Sequence, residues 1–330
     1  MKERVFLTGG LGFIGSHIAR ELVSKNYAVR IYDNFTSGTL QNISDIKKSV
    51  EVVRGDILDK TSLTKAMQGA HIVSHHAAQL EITKSIKDPY FDLTSNTVGT
   101  LNVLEACIKN QVAKLVNISS ACVYGQTDGK PSRETDATNP NWAYGVSKLA
   151  AEKYCSIYNE LYNLPIVSLR YAIIYGPNEW YGRVMTIFIK RALEGKPLII
   201  FGAGNQTRDF THVIDVVRAN MLVMNLKHND HVIFNVSTGI PSTIQHLADM
   251  VVKESGTQST VKIDRNVKEG AVSAYINRLR LPNELNHLVL SPRKLNSILK
   301  IKSMITFQKG LKEQIAWVRS HPNRWKKMSY

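Results

Sequence analysis

Arg4-Val5-Phe6-Leu7-Thr8 is an apolar run of strand length, and it ends on Gly9-Gly10-Leu11-Gly12-Phe13-Ile14-Gly15. Beyond the glycines Phe13, Ile14, Ile18, Leu22 and Val23 repeat at helical spacing, so a glycine turn joins a buried strand to an amphipathic helix. Gly10, Gly12 and Gly15 match G-x-G-x-x-G, a spacing that permits a tight turn, close backbone approach to a pyrophosphate and tight helix–strand packing. A diphosphate would rest on the helix N-terminus, where free N–H groups and the helix dipole favour an anion. A lone glycine run is most often an ordinary turn. Here the flanking strand and helix, and an acid after the next strand, argue otherwise. That strand, Ala28-Val29-Arg30-Ile31-Tyr32, delivers Asp33, whose carboxylate can accept from ribose hydroxyls. Repulsion between Asp33 and a 2′-phosphate favours NAD over NADP, while Arg30 and Lys25 pull the other way.

Strand-like stretches at 50–54, 71–75 and 115–119 alternate with helical ones, the pattern of an α/β, doubly wound, parallel sheet of the Rossmann type. Asp56, after the third strand, can reach an adenine edge or simply open a helix; both readings stand. After Tyr171 the loops lengthen, with Gly176-Pro177-Asn178, Gly202-Ala203-Gly204, a helical run over 213–225 and a strand over 231–236 that can return to the main sheet. We therefore expect an NAD-binding domain over residues 1–175, with returning segments about 213–237. A smaller C-terminal α/β substrate lobe is expected over 176–330. A chain of 330 residues at 43% hydrophobic can bury such a core. No apolar stretch reaches membrane length and a strand begins at Arg4, so neither a membrane partner nor a signal peptide is expected, and the expected location is the cytoplasm. Cys107, Cys122 and Cys155 are scattered, which suggests neither a disulfide framework nor a metal site. The net charge of +15 is dispersed without a zinc-finger or RNP signature, so we read a general basic surface that attracts a charged nucleotide, and no nucleic-acid partner. The tail Arg324-Trp325-Lys326-Lys327 reads as a solvated end.

Tyr144 and Lys148 stand one helical turn apart, with Ser120 upstream at the end of a strand. Asn139-Pro140-Asn141 offers a helix start with Asn141 as cap, which places both side chains on one face near its N-terminal end. A free phenol titrates near ~10, so making it a base at neutrality takes roughly 4 kcal/mol of differential stabilisation. Lys148 and an oxidised nicotinamide, both cationic, can supply it. Lys148 can also donate to the nicotinamide ribose, and Ser120 can hold the reacting hydroxyl and pass its proton.

The chain resembles the extended short-chain dehydrogenase/reductases that act on nucleotide sugars, the epimerase/dehydratase group typified by UDP-glucose 4-epimerase. The resemblance runs from Arg4 to about Trp317. It rests on the glycine turn, Asp33-Asn34, His75-His76-Ala77-Ala78, Asn96-Thr97-Val98-Gly99-Thr100, and Ser119-Ser120 with Val123-Tyr124-Gly125. Tyr144-Gly145-Val146-Ser147-Lys148, Leu169-Arg170-Tyr171 with Tyr175-Gly176-Pro177, and Arg208-Asp209-Phe210 complete it. It implies an NAD site built from Gly9, Gly12, Phe13, Ile14, Gly15, Asp33, Asn34, Asp56, Ile57, His75, Ala77, Ala78, Asn96, Ser119, Tyr144, Lys148 and Tyr171. It implies a nucleotide-diphosphate sugar held by Glu81, Ser120, Tyr144, Arg208 and Arg280, and a homodimer formed through helices around 96–109 and 144–158.

The family shares a first step, oxidation of a sugar hydroxyl to a ketone. Dehydratases of the family typically place Asp-Glu after the Ser120 position and decarboxylases a glutamate at the second of these; this chain has Ala121 and Cys122. Epimerisation at C4 needs no further acid and fits best, with a 4,6-dehydratase, another keto-sugar enzyme and a dinucleotide-binding scaffold as the alternatives. Glu81 either meets the sugar or pairs with Lys84, the second being favoured. His76 reads as a packed, hydrogen-bonded ring, and Ile173 stands where many relatives carry an asparagine. In Arg280-Leu281-Pro282-Asn283-Glu284-Leu285 the arginine is shifted by one from the family position and Asn283 replaces a glycine whose left-handed turn asparagine can adopt. Arg280 and Arg278 are thus either diphosphate ligands or part of an exposed basic loop. Leu288 falls where bulk can govern an N-acetyl group at C2.

Overall fold

A computed structural model describes residues 2–127, 129–179, 181–301 and 304–325. Seven parallel strands form the main sheet. The first six are β1 (Arg4–Thr8), β2 (Ala28–Asp33), β3 (Val50–Arg54), β4 (Ile72–His75), β5 (Lys114–Ser120) and β6 (Ile166–Tyr171). The seventh, His231–Val236, pairs with β6, so the order is His231–Val236, β6, β5, β4, β1, β2, β3. This confirms the doubly wound α/β reading and the return of the 231–236 strand.

The sheet is covered on both faces, which is why its strands are apolar throughout rather than alternating. Val5, Phe6 and Leu7 are wholly buried: Val5 and Leu7 pack with Ile18, Leu22 and Val217 on one side, Phe6 with Tyr32, Leu63 and Leu104 on the other. The first helix, Phe13–Ser24, and the Val213–Met224 helix cover the former face; the Gly99–Lys109 and Ala143–Tyr162 helices flank the latter. The carboxyl ends of β1, β4 and β5 converge, the crevice where ligands of open parallel sheets bind.

The remaining chain builds two small sheets over that edge. Ile173–Tyr175, Thr207–His212, Pro241–Thr243 and His287–Leu288 form one; Leu198–Phe201 and Val261–Asp264 form the other. A second core of Tyr175, Phe188, Phe210, Leu247 and Ile315 sits beneath them. Among the described residues no helix is long and apolar enough to cross a membrane, and the three cysteines are free and buried.

Two local expectations are corrected. Asn141 does not cap the long helix: its Oδ1 accepts from the Gln126 N–H, 3.1 Å away, and the helix begins at Ala143 with Trp142 in the cap position. The C-terminal segment is not wholly solvated either, because the Arg324 guanidinium donates to Asn42 Oδ1 at 2.7 Å and lies over the Trp317 ring. Lys326 and Lys327 lie outside the described residues.

Candidate active site

The glycine turn is fixed by sterics. Gly9 has φ +67°, and a Cβ there would stand 2.7 Å from the Ala77 nitrogen; a Cβ on Gly15 would run into the Gly9 carbonyl oxygen. The left-handed residue is therefore Gly9 rather than Gly10, and Gly15 seats the first helix against the turn. Ala77 supplies the wall opposite Gly9 through its backbone. The first helix starts at Phe13 with no side chain capping its N-terminus, which leaves N–H groups for an anionic ligand.

Asp33 is buried, and both carboxylate oxygens are engaged, Oδ2 by the Leu11 N–H at 3.0 Å and Oδ1 by the Phe35 N–H at 2.9 Å. Burial raises its pKa, and those N–H bonds oppose the rise. Each oxygen retains lone-pair capacity for a ribose hydroxyl. Arg30, which left NADP open, ion-pairs with Glu51 at 2.8 Å and donates to the Ala66 and Gln68 carbonyls, while Lys25 faces Glu21. Neither is aimed at a 2′-phosphate. Asp56 accepts from Asn34 Nδ2 at 2.9 Å and from the Leu58 N–H, so it orders the Asn34 loop; the helix-entry role belongs to Asp59, which caps Ser62. Ile57 is buried beneath Gly99.

Two residues assigned to the cofactor turn their side chains elsewhere. The Tyr171 hydroxyl accepts from Asn220 Nδ2 at 2.6 Å inside the core, where burial drives its pKa far up. Only its backbone, paired with Ser120, faces the strand ends. His75 is saturated by Thr8 Oγ1 at 2.8 Å and Thr100 Oγ1 at 3.0 Å, and burial pushes its pKa down to about 3, so it is a neutral brace between β1, β4 and the helix behind. His76 behaves as read, bonding Ser74 Oγ at 2.9 Å.

Ser120 Oγ accepts from the Cys122 N–H at 3.2 Å, and it lies near enough to the Tyr144 phenol to act on its acidity. Burial pushes Tyr144 up to about 12, with Ser120 and Arg183 opposing the rise. The buried phenol is thus neutral, and lowering its pKa to neutrality takes roughly 7 kcal/mol at ~1.4 kcal/mol per tenfold, more than a free phenol requires. Lys148 is 4% exposed, and burial lowers its pKa to about 8. Among the described residues no hydrogen bond or ion pair is made by its ammonium, and Ser119 Oγ, on β5, is buried without a partner. Unpaired buried polar groups are costly and point to a polar ligand. The glycine cradle, the free helix N-terminus and these two groups fit a dinucleotide.

Several supporting residues carry no local sequence signal. Asp92 is buried and accepts from Ser147 Oγ at 2.6 Å, Asn96 Nδ2 at 3.1 Å and Gln79 Nε2 at 2.8 Å; Asn96 Oδ1 in turn accepts from the Gln79 N–H. Asn96 lies on a π-helical turn, Thr94–Val98, so its amide ties the 77–80 loop, with Ala78, to the Tyr144–Lys148 helix. Beneath Lys148, Glu152 and Arg170 form a buried bidentate pair at 2.9 and 2.7 Å, and Arg170 continues to Tyr124 and Asn235. A helical acid one turn after Lys148 was the available clue.

Where the sequence places the substrate diphosphate, Arg208 and Arg280 share Glu284, at 3.7 and 3.1 Å. Arg280 also donates to the Val267 carbonyl and is only 17% exposed, so the exposed basic loop is overturned; burial comes from the second small sheet beneath it. Arg278 is half-buried, donating to the Gly182 carbonyl at 3.0 Å. Asn283 has φ 52°, the left-handed turn expected of it. Leu288 packs with Cys122, Trp142 and Ala172 beside Tyr144. Glu81 is exposed and makes no ion pair with Lys84, whose ammonium instead sits 4.2 Å from the Phe91 ring centroid. The expected pairing fails because the helix starting at Ile82 carries Lys84 toward that ring. Burial raises the pKa of Cys122, which keeps its thiol neutral.

The family model described as the NAD dependent epimerase/dehydratase family matches residues 5–237. The UDP-glucose 4-epimerase of Thermus thermophilus, solved in complex with NAD, is 33% identical, covers 96% of this chain and 99% of its own, and superposes with a TM-score of 0.85. The UDP-glucuronic acid 4-epimerase of Bacillus cereus, solved with UDP-glucuronic acid and NAD, is 30% identical with the same coverage and a TM-score of 0.85. A UDP-N-acetyl-alpha-D-glucosaminuronate decarboxylase of Bacillus cytotoxicus is 32% identical over 98% of this chain and 100% of its own length.

Proposed function

The chain belongs to the NAD-dependent epimerase/dehydratase family, and from that membership we propose that it inverts C4 of a UDP-linked sugar through a transient 4-keto sugar. NAD is the cofactor, and when bound it supplies the acceptor and donor of the C4 hydride. Tyr144 Oη removes the C4 hydroxyl proton and returns it, Ser120 Oγ holds that hydroxyl, and Lys148 Nζ holds the ribose and lowers the phenol's pKa. Arg208 and Arg280 take the substrate diphosphate once it competes with Glu284, and Glu81 borders the sugar. We assign sugar binding to residues 176–330 apart from the returning 213–237 segment, and a homodimer to the helices around 96–109 and 144–158, which expose Val98, Val146, Tyr154 and Ile157.

The observation that carries epimerisation is the neutrality of the wall beside Tyr144. Ala121 and a protonated Cys122 stand where elimination or decarboxylation would call on a carboxyl group. A second feature bears on the sugar. Arg183 acts electrostatically on Tyr144 and Cys122, donates to the Ile174 carbonyl, and among the described residues has no carboxylate within ion-pair distance. This favours a sugar carrying its own carboxylate, as in the Bacillus cereus relative, over a neutral hexose. The test is incubation with NAD and a panel of UDP-, GDP- and dTDP-sugars followed by product NMR in deuterated water. Inversion without deuterium at C5 is expected. A 4-keto-6-deoxy product, release of carbon dioxide, or binding without conversion would each replace the proposal with its dehydratase, decarboxylase or scaffold alternative.

A further inference from the structure

The residue that opens the helix carrying Tyr144 and Lys148 is poorly suited to start a helix. At a cap position serine, threonine, aspartate or asparagine accepts from a first-turn N–H, whereas Trp142 has no side-chain oxygen and makes no cap bond. Its indole is 7% exposed and packs with Cys122, Tyr124, Ala172, Leu285 and Leu288. The indole N–H donates to the Pro282 carbonyl at 2.8 Å, across 140 residues of chain. A local rule broken in favour of so distant a contact marks the contact as what the residue serves.

Pro282 lies in the segment that organises the arginines assigned to the diphosphate. Arg280 and its partner Glu284 flank it, and His287 and Leu288 pair in register with Thr207 and Arg208. A second tie runs beside the first: the Asn286 N–H donates to Gln126 Oε1 at 3.1 Å, and the Gln126 N–H donates to Asn141 Oδ1 at 3.1 Å. The arginine segment is therefore clamped at two points to the chain that leads into Tyr144. The Tyr144 ring itself packs against the cluster that holds the indole.

We propose that Trp142 is a positioning residue, which sets the span between the arginines that hold the diphosphate and the phenol that acts at C4. A nucleotide sugar gripped at one end reacts at the other. An error in this span misplaces the C4 hydroxyl relative to Tyr144 Oη and is felt in the chemical step. The inference rests on the proposed C4 reaction and on Arg280 as a diphosphate ligand.

The test compares the NAD-loaded full chain with Trp142→Phe, which keeps an aromatic ring in the buried cluster and removes the indole N–H, on UDP-glucose and UDP-glucuronic acid. A kcat about tenfold lower is expected, with KM within about twofold, the pattern of an interaction felt in the transition state alone. Combination with Arg280→Gln separates positioning from support of the fold. Once the diphosphate is no longer gripped there, loss of the indole N–H should lower kcat by less than about twofold further. An unchanged kcat in Trp142→Phe, a loss confined to KM, or a tenfold loss that persists in the Arg280→Gln background overturns the proposal. Absence of turnover by the unaltered protein defeats the C4 reading and the span with it, a result seen before any variant is compared.

Discussion

The cofactor end and the sugar end of the crevice are built on different principles. At the first, one short strand and the turn after it dictate the geometry, since Gly9 and Gly15 fit nothing larger. At the second, Arg183, Arg208, Arg278 and Arg280 come from loops and strand ends and are held by carbonyls and by the acids Glu284 and Glu269. Backbone sterics make the one robust and legible. Side-chain electrostatics make the other adjustable, which is how one fold can serve several sugars.

Substitutions probe this contrast in a graded way. Tyr144→Phe removes the proposed proton carrier and is expected to lower kcat by about 10³–10⁴-fold, with NAD retention, read by absorbance of the purified protein, unaltered. Glu152→Gln should cost about 3–5 kcal/mol of stability in chemical denaturation, because it strands the buried Arg170 charge. It should also lower the Lys148 pKa further, since Glu152 raises it.

Glu179→Gln has a signature in pH. Burial raises this carboxyl from an ordinary 4.5 to about 7. Between those values the folded chain keeps a proton that the unfolded chain has released, so stability falls as pH rises through the window. The glutamine variant should lack that decline, a difference on the order of 3 kcal/mol across the window. Parallel stability profiles for the two proteins would contradict the assignment.

A more modest change is expected at the sugar end. Arg183→Leu should reduce kcat/KM for UDP-glucuronic acid about tenfold while changing that for UDP-glucose little, the loss of one partly solvated ion pair. Equal losses on both would make Arg183 a loop support.

The sequence is readable where one residue determines its own neighbourhood. The strand–turn–helix unit, Asp33, the Tyr144–Lys148 spacing and the seven-strand winding all follow from local period and sterics. What escapes it depends on contacts distant in sequence. Tyr171 sits in a matched motif, yet Asn220 draws its phenol into the core. Glu81 and Lys84 lie at ion-pair spacing, yet Phe91 takes the cation. Asp92 carries a buried network whose partners are Gln79, Asn96 and Ser147, and no short pattern announces it.

Tyr144, Ser120 and Lys148 are assigned here to a reversible oxidation at C4 in which the hydride never leaves the site. Conversion of a UDP-sugar deuterated at C4, followed by NMR, puts that assignment to the test in one reaction. The expected product is inverted at C4, keeps its deuterium there and takes up none from solvent. Loss of that label to water, or inversion at another carbon, would contradict it.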